Sequence, residues 1–314
     1  MSDLYLITGG AGFIGSNIAE KLVSSGQRVR VVDNLLTGKL ENMETFIDKI
    51  EFINADIRSL DTMIKIMNNV DYVIHQAALP SVPKSVEIPI ESNEHNTNGT
   101  LNVLFAAKEN DVKRVIYAAS SAAYGEIPES PKVETMRPMP LSPYAVNKLA
   151  GEYYCSVFTH VYGLETVALR YFNVFGPRQD PTSFYSAVIP KFITALLRNE
   201  QPTIFGDGEQ SRDFTYIDNV VHANLLACKA PDIAGEMFNI ACGESITLNQ
   251  LLDSLKEILA KDIQPTYEDE RAGDVKHSLA DINKAKKKMG YAVQVNTDQG
   301  LKLTAEWFKK HPVK

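Results

Sequence analysis

The sequence predicts an α/β protein built on a doubly wound parallel sheet, with a smaller α/β lobe packed against it. Two observations carry this prediction. Short apolar runs, typical of buried parallel strands, alternate with segments of helical spacing through the first half of the chain. A glycine string, Gly9-Gly10-Ala11-Gly12-Phe13-Ile14-Gly15, stands between the first apolar run and the first helical segment. Doubly wound sheets bind phosphate groups at that place.

The elements of the first 172 residues follow one another in regular order. The predicted strands cover residues 4–7, 28–32, 50–55, 71–75, 112–118 and 165–170. The predicted helices cover residues 13–25, 60–68, 91–110 and 144–162. Because strands that alternate with helices build parallel sheets, residues 1–172 are predicted to form a dinucleotide-binding domain of the Rossmann type.

The pattern changes after residue 172, where prolines separate shorter elements. Helices are predicted over residues 188–198, 218–229, 248–259 and 297–309, and the lysine-rich run 284–288 is predicted to be a solvated helix face. Residues 173–314 are therefore predicted to form mainly a smaller substrate-binding lobe. A crossing of the chain back to the first domain stays open.

Composition narrows the classes of protein that this chain can represent. A net charge of -7 argues against a general nucleic-acid binder, which would usually be basic. The three scattered cysteines favour neither a disulfide framework nor a metal site, and they point to a reducing compartment. No apolar run approaches the roughly 18 residues needed to span a bilayer. The polar start at Ser2-Asp3 is unlike a signal peptide, so we expect a cytoplasmic protein.

The glycine string occurs in the context that a dinucleotide cradle requires, after a strand and at the start of a helix. Asp33 ends the second predicted strand, where a carboxylate would accept hydrogen bonds from the adenosine ribose. A carboxylate there repels a 2′-phosphate, so NAD is favoured over NADP. The alternative is a generic glycine-rich turn beside a surface aspartate. Asp56 could accept from the adenine amino group or cap the helix that follows it.

A tyrosine and a lysine form the candidate proton-transfer pair. Ser142-Pro143 is a good helix start, so Tyr144 would lie in the first turn with Lys148 one turn later on the same face. A nearby ammonium group lowers the pKa of a tyrosine, which could then act as a base near neutral pH. Ser120, directly after the fifth strand, could relay the proton. The alternatives are an ordinary helix surface and an ordinary turn serine.

Taken together, these residues make the chain resemble the extended short-chain dehydrogenase/reductases. Within them it resembles the UDP-hexose 4-epimerases, and most of all the UDP-N-acetylglucosamine 4-epimerases. The resemblance spans nearly the whole chain. Beyond the motifs above, it rests on Val32-Asp33-Asn34, Ser120-Ser121-Ala122-Ala123-Tyr124-Gly125, Arg170-Tyr171-Phe172-Asn173-Val174-Phe175-Gly176-Pro177, Ser211-Arg212-Asp213-Phe214 and Arg271-Ala272-Gly273-Asp274.

The resemblance implies a redox-neutral inversion at carbon 4 of a UDP-hexose. Tyr144, helped by Ser120 and Lys148, would take the proton of the carbon-4 hydroxyl while hydride passes to tightly held NAD, and the 4-keto sugar would turn before both return. The implied cofactor residues are Gly9, Gly12, Phe13, Ile14, Gly15, Asp33, Asn34, Thr37, Gly38, Asp56, Ile57, Gln76, Ala77, Ala78, Tyr144, Lys148 and Tyr171. The implied substrate residues are Ser81, Ser121, Ala122, Asn173, Ala187, Val188, Lys191, Thr203, Ile204, Phe205, Arg212, Arg271, Asp274 and Ser278.

The choice of reaction and sugar depends on a few positions. Related 4,6-dehydratases carry Thr-Asp-Glu where this chain has Ser120-Ser121-Ala122, and related decarboxylases carry glutamate at Ala122. Uronate 4-epimerases usually show threonine and arginine at the positions of Asn173 and Asp180. The small Ser278 leaves room for an N-acetyl group, whereas Pro80 is a departure whose effect on sugar preference is open.

These positions favour UDP-GlcNAc and UDP-GalNAc as the interconverted pair, with UDP-Glc and UDP-Gal as further substrates. A UDP-glucuronate 4-epimerase, or another nucleotide-sugar oxidoreductase that turns over free cofactor, is the alternative. A non-catalytic nucleotide-sensing protein is a second alternative, which the intact set of Ser120, Tyr144 and Lys148 disfavours.

The resemblance also implies a homodimer formed through two helices of each subunit, here 91–110 and 144–162. Leu101, Leu104 and Phe105 could lie on that face, or they could pack against the sheet in the ordinary way.

Overall fold

A central parallel sheet organises the computed structural model, which describes residues 2–181, 188–270 and 276–312. The strands in chain order are β1 (Leu4–Thr8), β2 (Arg28–Asp33), β3 (Glu51–Asn54), β4 (Tyr72–His75), β5 (Arg114–Ser120), β6 (Glu165–Tyr171), β7 (Val174–Phe175), β8 (Thr203–Phe205), β9 (Ser211–Arg212), β10 (Thr215–Tyr216), β11 (Glu236–Ile240), β12 (Ile246–Thr247), β13 (Thr266–Glu268) and β14 (His277–Ser278). Seven of them form the main sheet in the order β11-β6-β5-β4-β1-β2-β3. The predicted doubly wound α/β fold is thereby confirmed.

The helices cover both faces of this sheet and build the second lobe. In chain order they are α1 (Phe13–Ser24), α2 (Leu60–Ile66), α3 (Val82–Glu87), α4 (Pro89–Asn93), α5 (Gly99–Glu109), α6 (Pro143–Tyr162), α7 (Val188–Leu197), α8 (Ile217–Lys229), α9 (Leu248–Leu259), α10 (Asn283–Met289) and α11 (Thr297–Lys310). No helix in the described ranges has the length and apolar character that crossing a membrane would need.

The long helix predicted over residues 91–110 is not a single α-helix. A π-helical turn, Glu94–Asn98, separates α4 from α5, and the preceding α3 was not predicted at all. Side chains cause the difference. Asn96 turns inward and accepts a hydrogen bond from the backbone N of Leu79 at 2.7 Å, which an uninterrupted α-helix would place elsewhere.

The sheet order places β1 between β2 and β4, so the connections change direction there and open a crevice at the carboxyl ends of the strands. The edge strand β11 pairs in parallel with β6 although it comes from the second half of the chain. The chain therefore crosses back to the first sheet. Short strands organise the second lobe: β9 pairs with β12 and β14, and β8 pairs with β13.

Helix α6 is fixed at both ends, as its sequence predicts. The Ser142 hydroxyl accepts from the backbone N of Ala145 at 3.1 Å, Pro143 occupies the first turn, and Gly163 ends the helix with φ of +73°. The backbone N of Tyr144 donates to the hydroxyl of Ser85 on α3 at 3.0 Å. The first turn of α6, which carries Tyr144, is thereby anchored to α3.

Candidate active site

The glycine string forms a tight turn in which three of its glycines leave no space for a side chain, and a Cβ on Gly10 would lie 2.5 Å from the side chain of Val31. Gly9 has φ of +70°, and a Cβ there would lie 2.7 Å from the backbone N of Ala77. A Cβ on Gly15 would lie 2.2 Å from the carbonyl oxygen of Gly9. Gly12 differs, because a Cβ there would meet only that same carbonyl oxygen, at 3.2 Å. The space in front of Gly12 is therefore open to a ligand's approach.

This turn leads into the N-terminus of α1, whose first N–H groups have no partner within the helix. Gly12 is the cap residue and supplies no side chain, and the first turn holds no acidic residue. Phe13 and Ile14, half-buried, form that turn. A cluster of N–H groups with a partial positive charge and no competing carboxylate fits a pyrophosphate. The residues present therefore fit the dinucleotide predicted from the sequence.

Asp33 lies beside the turn and braces it. Its carboxylate accepts from the backbone N of Ala11 at 3.0 Å and from that of Leu35 at 2.8 Å. Burial raises the pKa of this carboxyl group, and the two N–H donors oppose the rise. A Cβ on Gly38 would lie 2.8 Å from both carboxylate oxygens, and the exposed Thr37 precedes it on the same loop. The carboxylate thus stands within reach of a ribose bound at the turn.

Asp56 has partners that the sequence did not reveal. Arg58 donates two hydrogen bonds to the Asp56 carboxylate, from Nε at 3.0 Å and from Nη2 at 2.8 Å. The side-chain amide of Asn34 donates a third at 3.0 Å. Burial would raise the pKa of Asp56, but these donors outweigh it and hold the pKa well below its usual range. Asp56 lines a cavity of about 630 Å³. Ile57, in contrast, is buried in the core against Gly99.

Gln76, the residue directly after β4, connects that strand to Tyr171 on β6. The side-chain amide of Gln76 donates to the hydroxyl of Tyr171 at 3.0 Å, and Asn224 donates to the same hydroxyl at 2.8 Å. Burial raises the pKa of Tyr171 to about 12. The hydroxyl of Tyr171 is therefore engaged within the protein, whereas the half-buried Ala77 and Ala78 line the crevice beside it.

The proposed proton-transfer residues come together at the end of β5. Ser120 is the last residue of that strand, and its hydroxyl accepts from the backbone N of Ala122 at 3.2 Å. The side chain of Ser120 is also the polar neighbour of the Tyr144 phenol. The Lys148 ammonium donates to the carbonyl of Ala118 at 2.8 Å and lies 6.0 Å from the centre of the Tyr144 ring. Ser121 and Ala122 continue into a short 3₁₀ turn.

The protein alone shifts the pKa of Tyr144 in the direction opposite to the sequence-based expectation. Burial raises the pKa of this phenol, and the neighbouring Ser120 side chain opposes the rise. Burial also lowers the pKa of Lys148 to about 8, against the attraction of Glu152. The sequence showed the Tyr-Lys spacing but not the desolvation that both groups share. A phenolate here needs positive charge beyond that of Lys148, which an oxidised nicotinamide ring supplies.

On the lobe side of the crevice, three predicted substrate residues lie on neighbouring segments. Arg212 on β9 and Ser278 on β14 are register partners. The guanidinium of Arg212 donates to the carbonyl of Lys276 at 3.1 Å. Asn173 has φ of +33° and donates from its side-chain amide to the carbonyl of Asp213 at 3.0 Å. The second lobe therefore presents these side chains together.

The remaining substrate residues are placed less uniformly. Ile204 is fully buried, so its side chain belongs to the core, while Thr203 and Phe205 flank it half-buried on β8. Ser81 caps α3 by accepting from the backbone N of Lys84 at 3.1 Å. Val188 and Lys191 lie half-buried on α7. Three predicted residues lie outside the described ranges: Ala187, Arg271 and Asp274.

Sequence reasoning missed a buried histidine that supports the glycine turn. His75 at the end of β4 is neutral, because burial lowers its pKa to about 3. Its Nδ1 lies 2.6 Å from the hydroxyl of Thr8, and its Nε2 lies 3.0 Å from that of Thr100. Thr8 directly precedes Gly9 and accepts from the backbone N of Ala77 at 3.3 Å. A polar residue at the end of an otherwise apolar strand was the available signal.

Asp213 was noticed only as part of a motif, and the structure gives it an organising role. Its buried carboxylate accepts from the backbone N of Cys242, Gly243 and Ala280 at 2.9, 3.0 and 3.3 Å. Burial raises the pKa of this group to about 7 despite these donors. Asp213 thus joins its own segment, next to Arg212, to two others, which contain residues 242–243 and residue 280. In the described part of the chain, no three His, Cys, Asp or Glu side chains gather as metal ligands would.

A glycine cradle on a doubly wound sheet, followed by a Ser-Tyr-Lys set at the carboxyl ends of its strands, defines the class of extended short-chain dehydrogenase/reductases. Comparison with known proteins narrows this class. The chain belongs to the NAD dependent epimerase/dehydratase family, whose model matches residues 5–241. The family depends on NAD, in agreement with the cofactor expected from the sequence.

Solved structures and curated relatives cover almost the entire chain. A UDP-N-acetylglucosamine 4-epimerase from Methanobrevibacter ruminantium, solved with UDP-N-acetylmuramic acid, is 44% identical with a TM-score of 0.95, over 99% of this chain and 100% of that one. A UDP-glucose 4-epimerase from Thermotoga maritima, solved with UDP-glucose, is 42% identical with a TM-score of 0.94, over 98% and 99%. A UDP-glucuronate 4-epimerase from Thermodesulfobacterium geofontis is 34% identical over 98% and 96%. The chain is therefore an epimerase of the UDP-sugar 4-epimerase group.

Proposed function

We propose that this protein interconverts UDP-GlcNAc and UDP-GalNAc by inverting carbon 4, and that it also acts on UDP-Glc and UDP-Gal. The observation that carries the proposal is the Ser120–Tyr144–Lys148 set at the mouth of the NAD cradle. The similarity to a UDP-N-acetylglucosamine 4-epimerase supports the choice of sugar. Residues 1–172 would hold the cofactor, and residues 173–314 would hold mainly the nucleotide sugar.

The chemistry assigned to the chain's own residues is proton transfer and orientation. Tyr144 as phenolate takes the proton of the carbon-4 hydroxyl, and the neighbouring Ser120 holds that hydroxyl in line. Lys148 stabilises the phenolate by its charge. When bound, NAD would supply the acceptor for the hydride of carbon 4 and would return it. Tyr144 gives its proton back to the ketone oxygen once the sugar presents its other face, so no net oxidation occurs.

Binding of the substrate diphosphate is assigned to the second lobe. Arg212 can offer a guanidinium fork to phosphate oxygens, which bind such forks in a bidentate manner. Asn173 is held beside it by its hydrogen bond to the carbonyl of Asp213. Asp180 lies 2.6 Å from Lys39 in an ion pair. An acid at that position offers no partner to a sugar carboxylate, which disfavours UDP-glucuronate as the substrate.

Product identification tests the proposed function. We expect the purified protein, without added NAD, to convert UDP-GlcNAc to an equilibrium mixture with UDP-GalNAc, measured by chromatography against standards. Deuterium placed at carbon 4 should remain in the inverted product. Conversion of UDP-glucuronate alone, or loss of the deuterium to solvent, would refute the proposal. A strict requirement for added NAD would favour an oxidoreductase that releases its cofactor.

The small side chain of Ser278 carries the prediction on sugar size. Ser278 is half-buried opposite Arg212, so we expect S278Y to fill the space proposed for the N-acetyl group. Its kcat/KM should fall by about tenfold or more for UDP-GlcNAc, because overfilled pockets cost on the order of 1–3 kcal/mol. The value for UDP-Glc should change little. The S278A variant is the control, and equal losses on both sugars in S278Y would contradict the assignment.

We also propose that the protein is a homodimer through an apolar face made of α4, α5 and α6. Along α6, Val146, Tyr153, Val157 and Val161 are all exposed and spaced to share one side of the helix. Ile90 is 78% exposed on α4. Such a contiguous apolar face usually marks an interface between proteins.

The helix α5 contributes to this face differently from the sequence-based expectation. Phe105 is partly exposed and lies beside the face, with the Lys108 ammonium 5.6 Å from its ring and 6.0 Å from that of Tyr162 on α6. Leu104 is fully buried and packs in the core, which is the second of the two alternatives that the sequence left open for it. Leu101 also packs against the core.

The V157D substitution tests the dimer. A carboxylate at the centre of a desolvated interface has no partner, so we expect V157D to shift the protein to the monomer. Light scattering after size-exclusion chromatography measures the mass. Tyr267 is exposed on β13, away from this face, and Y267D should leave the dimer intact. A monomeric wild-type protein, or a dimeric V157D variant, would contradict the proposal.

A further inference from the structure

A buried ion pair stands directly behind the lysine of the candidate active site. Glu152 lies one helical turn after Lys148 on α6, so both side chains leave the same face of the helix. Arg170 on β6 donates from Nε to Oε1 of Glu152 at 2.8 Å and from Nη2 to Oε2 at 2.7 Å. The three side chains are almost completely buried, and Arg170 is only 1% exposed.

The surroundings of Arg170 hold its guanidinium in one place. Its central carbon lies 4.6 Å from the centre of the Tyr124 ring. In the sheet, Arg170 is the register partner of Ala119, the residue after Ala118, whose carbonyl accepts from Lys148. The pair therefore reaches the same stretch of β5 that orients the lysine.

The stability of the fold does not require a charged pair at the positions of Glu152 and Arg170. Burying two charges is expensive, and replacing a buried ion pair by apolar side chains of similar volume is often neutral or stabilising. The Nη1 of Arg170, moreover, has no hydrogen-bond partner within the described part of the chain. Because this ion pair is costly to bury, its presence is better explained by an electrostatic effect on the neighbouring Lys148.

The groups that face Lys148 show what that effect is. Tyr117 on β5 has its ring centre 5.2 Å from the ammonium, and burial raises the pKa of this phenol well above its usual value. His75 on β4 is neutral, since burial lowers its pKa to about 3. Tyr144 on α6 is the group whose phenolate form Lys148 is proposed to stabilise. Among the described residues that face Lys148, only Glu152 brings a negative charge.

We propose that Glu152, held by Arg170, is a positioning residue that keeps Lys148 in its ammonium form behind Tyr144. Burial acts in the opposite direction, because it lowers the pKa of Lys148 to about 8. Without the carboxylate, the pKa of Lys148 would fall further, and more of the lysine would be uncharged near neutral pH. The inference rests on the proposed function in one respect, namely that Lys148 acts through its charge.

Direct titration of Lys148 tests the inference without any need for turnover. Lysine labelled with ¹³C at Cε would be titrated by NMR in the NAD-bound full-length protein, with Lys148 assigned by its absence from K148M. We expect a midpoint below that of an exposed lysine in the wild type, because burial lowers the pKa of Lys148. In E152Q the midpoint should fall by about one pH unit or more, as removal of an adjacent opposite charge requires. The alkaline limb of kcat/KM should move to lower pH with it.

Two further variants keep the result interpretable. Glu165 and Arg114 form an ion pair at the other end of β5 and β6, with Nε and Oε2 2.8 Å apart, in which the carboxylate is exposed. The variant E165Q should leave the Lys148 midpoint unchanged. The double variant E152Q/R170M leaves no unpaired guanidinium, so it should fold well and still show the lowered midpoint.

Two results would overturn the inference. One is an unchanged Lys148 midpoint in E152Q and in the double variant. The other is an equal shift in E165Q. A wild-type protein that converts no UDP-sugar would refute the proposed function instead, and the titration would still decide the role of Glu152.

Discussion

The Y144F variant is expected to lose epimerisation by about 10²- to 10⁴-fold while it retains its fold and its NAD, because the lost group is the only proposed base. The substitution removes one oxygen from a half-buried ring that is anchored elsewhere. The backbone of Tyr144 remains bonded to Ser85, and Lys148 remains bonded to the carbonyl of Ala118. The measurement is the rate of UDP-sugar interconversion, together with the NAD content of the denatured protein.

A tyrosine on the same helix provides the control for this result. Tyr162 ends α6 and is 54% exposed, far along the helix from the candidate site. The Y162F variant should keep wild-type turnover. Full activity in Y144F would exclude Tyr144 as the base. Loss of NAD in Y144F would show that the phenol serves binding rather than proton transfer.

The parts of the site that follow from local pattern were predictable from the sequence. The turn from Gly9 to Gly15, Asp33 at the end of β2, and the first turn of α6 all lie where strand, turn and helix signals put them. Each depends on residues near one another in the chain, such as Ser142 capping the helix that carries Tyr144. Their roles toward NAD and sugar stay predictions, but their placement at one crevice follows from the parallel topology.

The features that escaped prediction depend on contacts between distant segments. The strand β11 lies in the second half of the chain but joins the main sheet by pairing with β6. The hydrophobic periodicity of the sequence does not predict such a crossing. Asn34 donates to Asp56, and Arg170 donates to Glu152, only because the fold brings these residues together. The raised pKa of Tyr144 likewise comes from burial, which spacing along one helix does not reveal.

The second large effect is expected at Gly12, where a methyl group should remove NAD without unfolding the protein. Gly12 has φ of −78°, which alanine adopts without strain, and the added Cβ would meet only the Gly9 carbonyl, at 3.2 Å. The methyl group would instead occupy the space proposed for the pyrophosphate. We expect G12A to weaken NAD binding by about ten- to a hundredfold, since overfilling a packed contact costs on the order of 1–3 kcal/mol.

Calorimetric titration with NAD and the NAD content of purified G12A would measure this loss. Gly26, just after the other end of α1, is the control, because it has φ of +74° and a Cβ there would meet nothing within 4 Å. The G26A variant should lose about 1 kcal/mol of unfolding free energy through backbone strain and keep its NAD. If G12A retained NAD as the wild type does, the cofactor phosphates could not lie against this turn. The proton-transfer set would then have no hydride acceptor beside it.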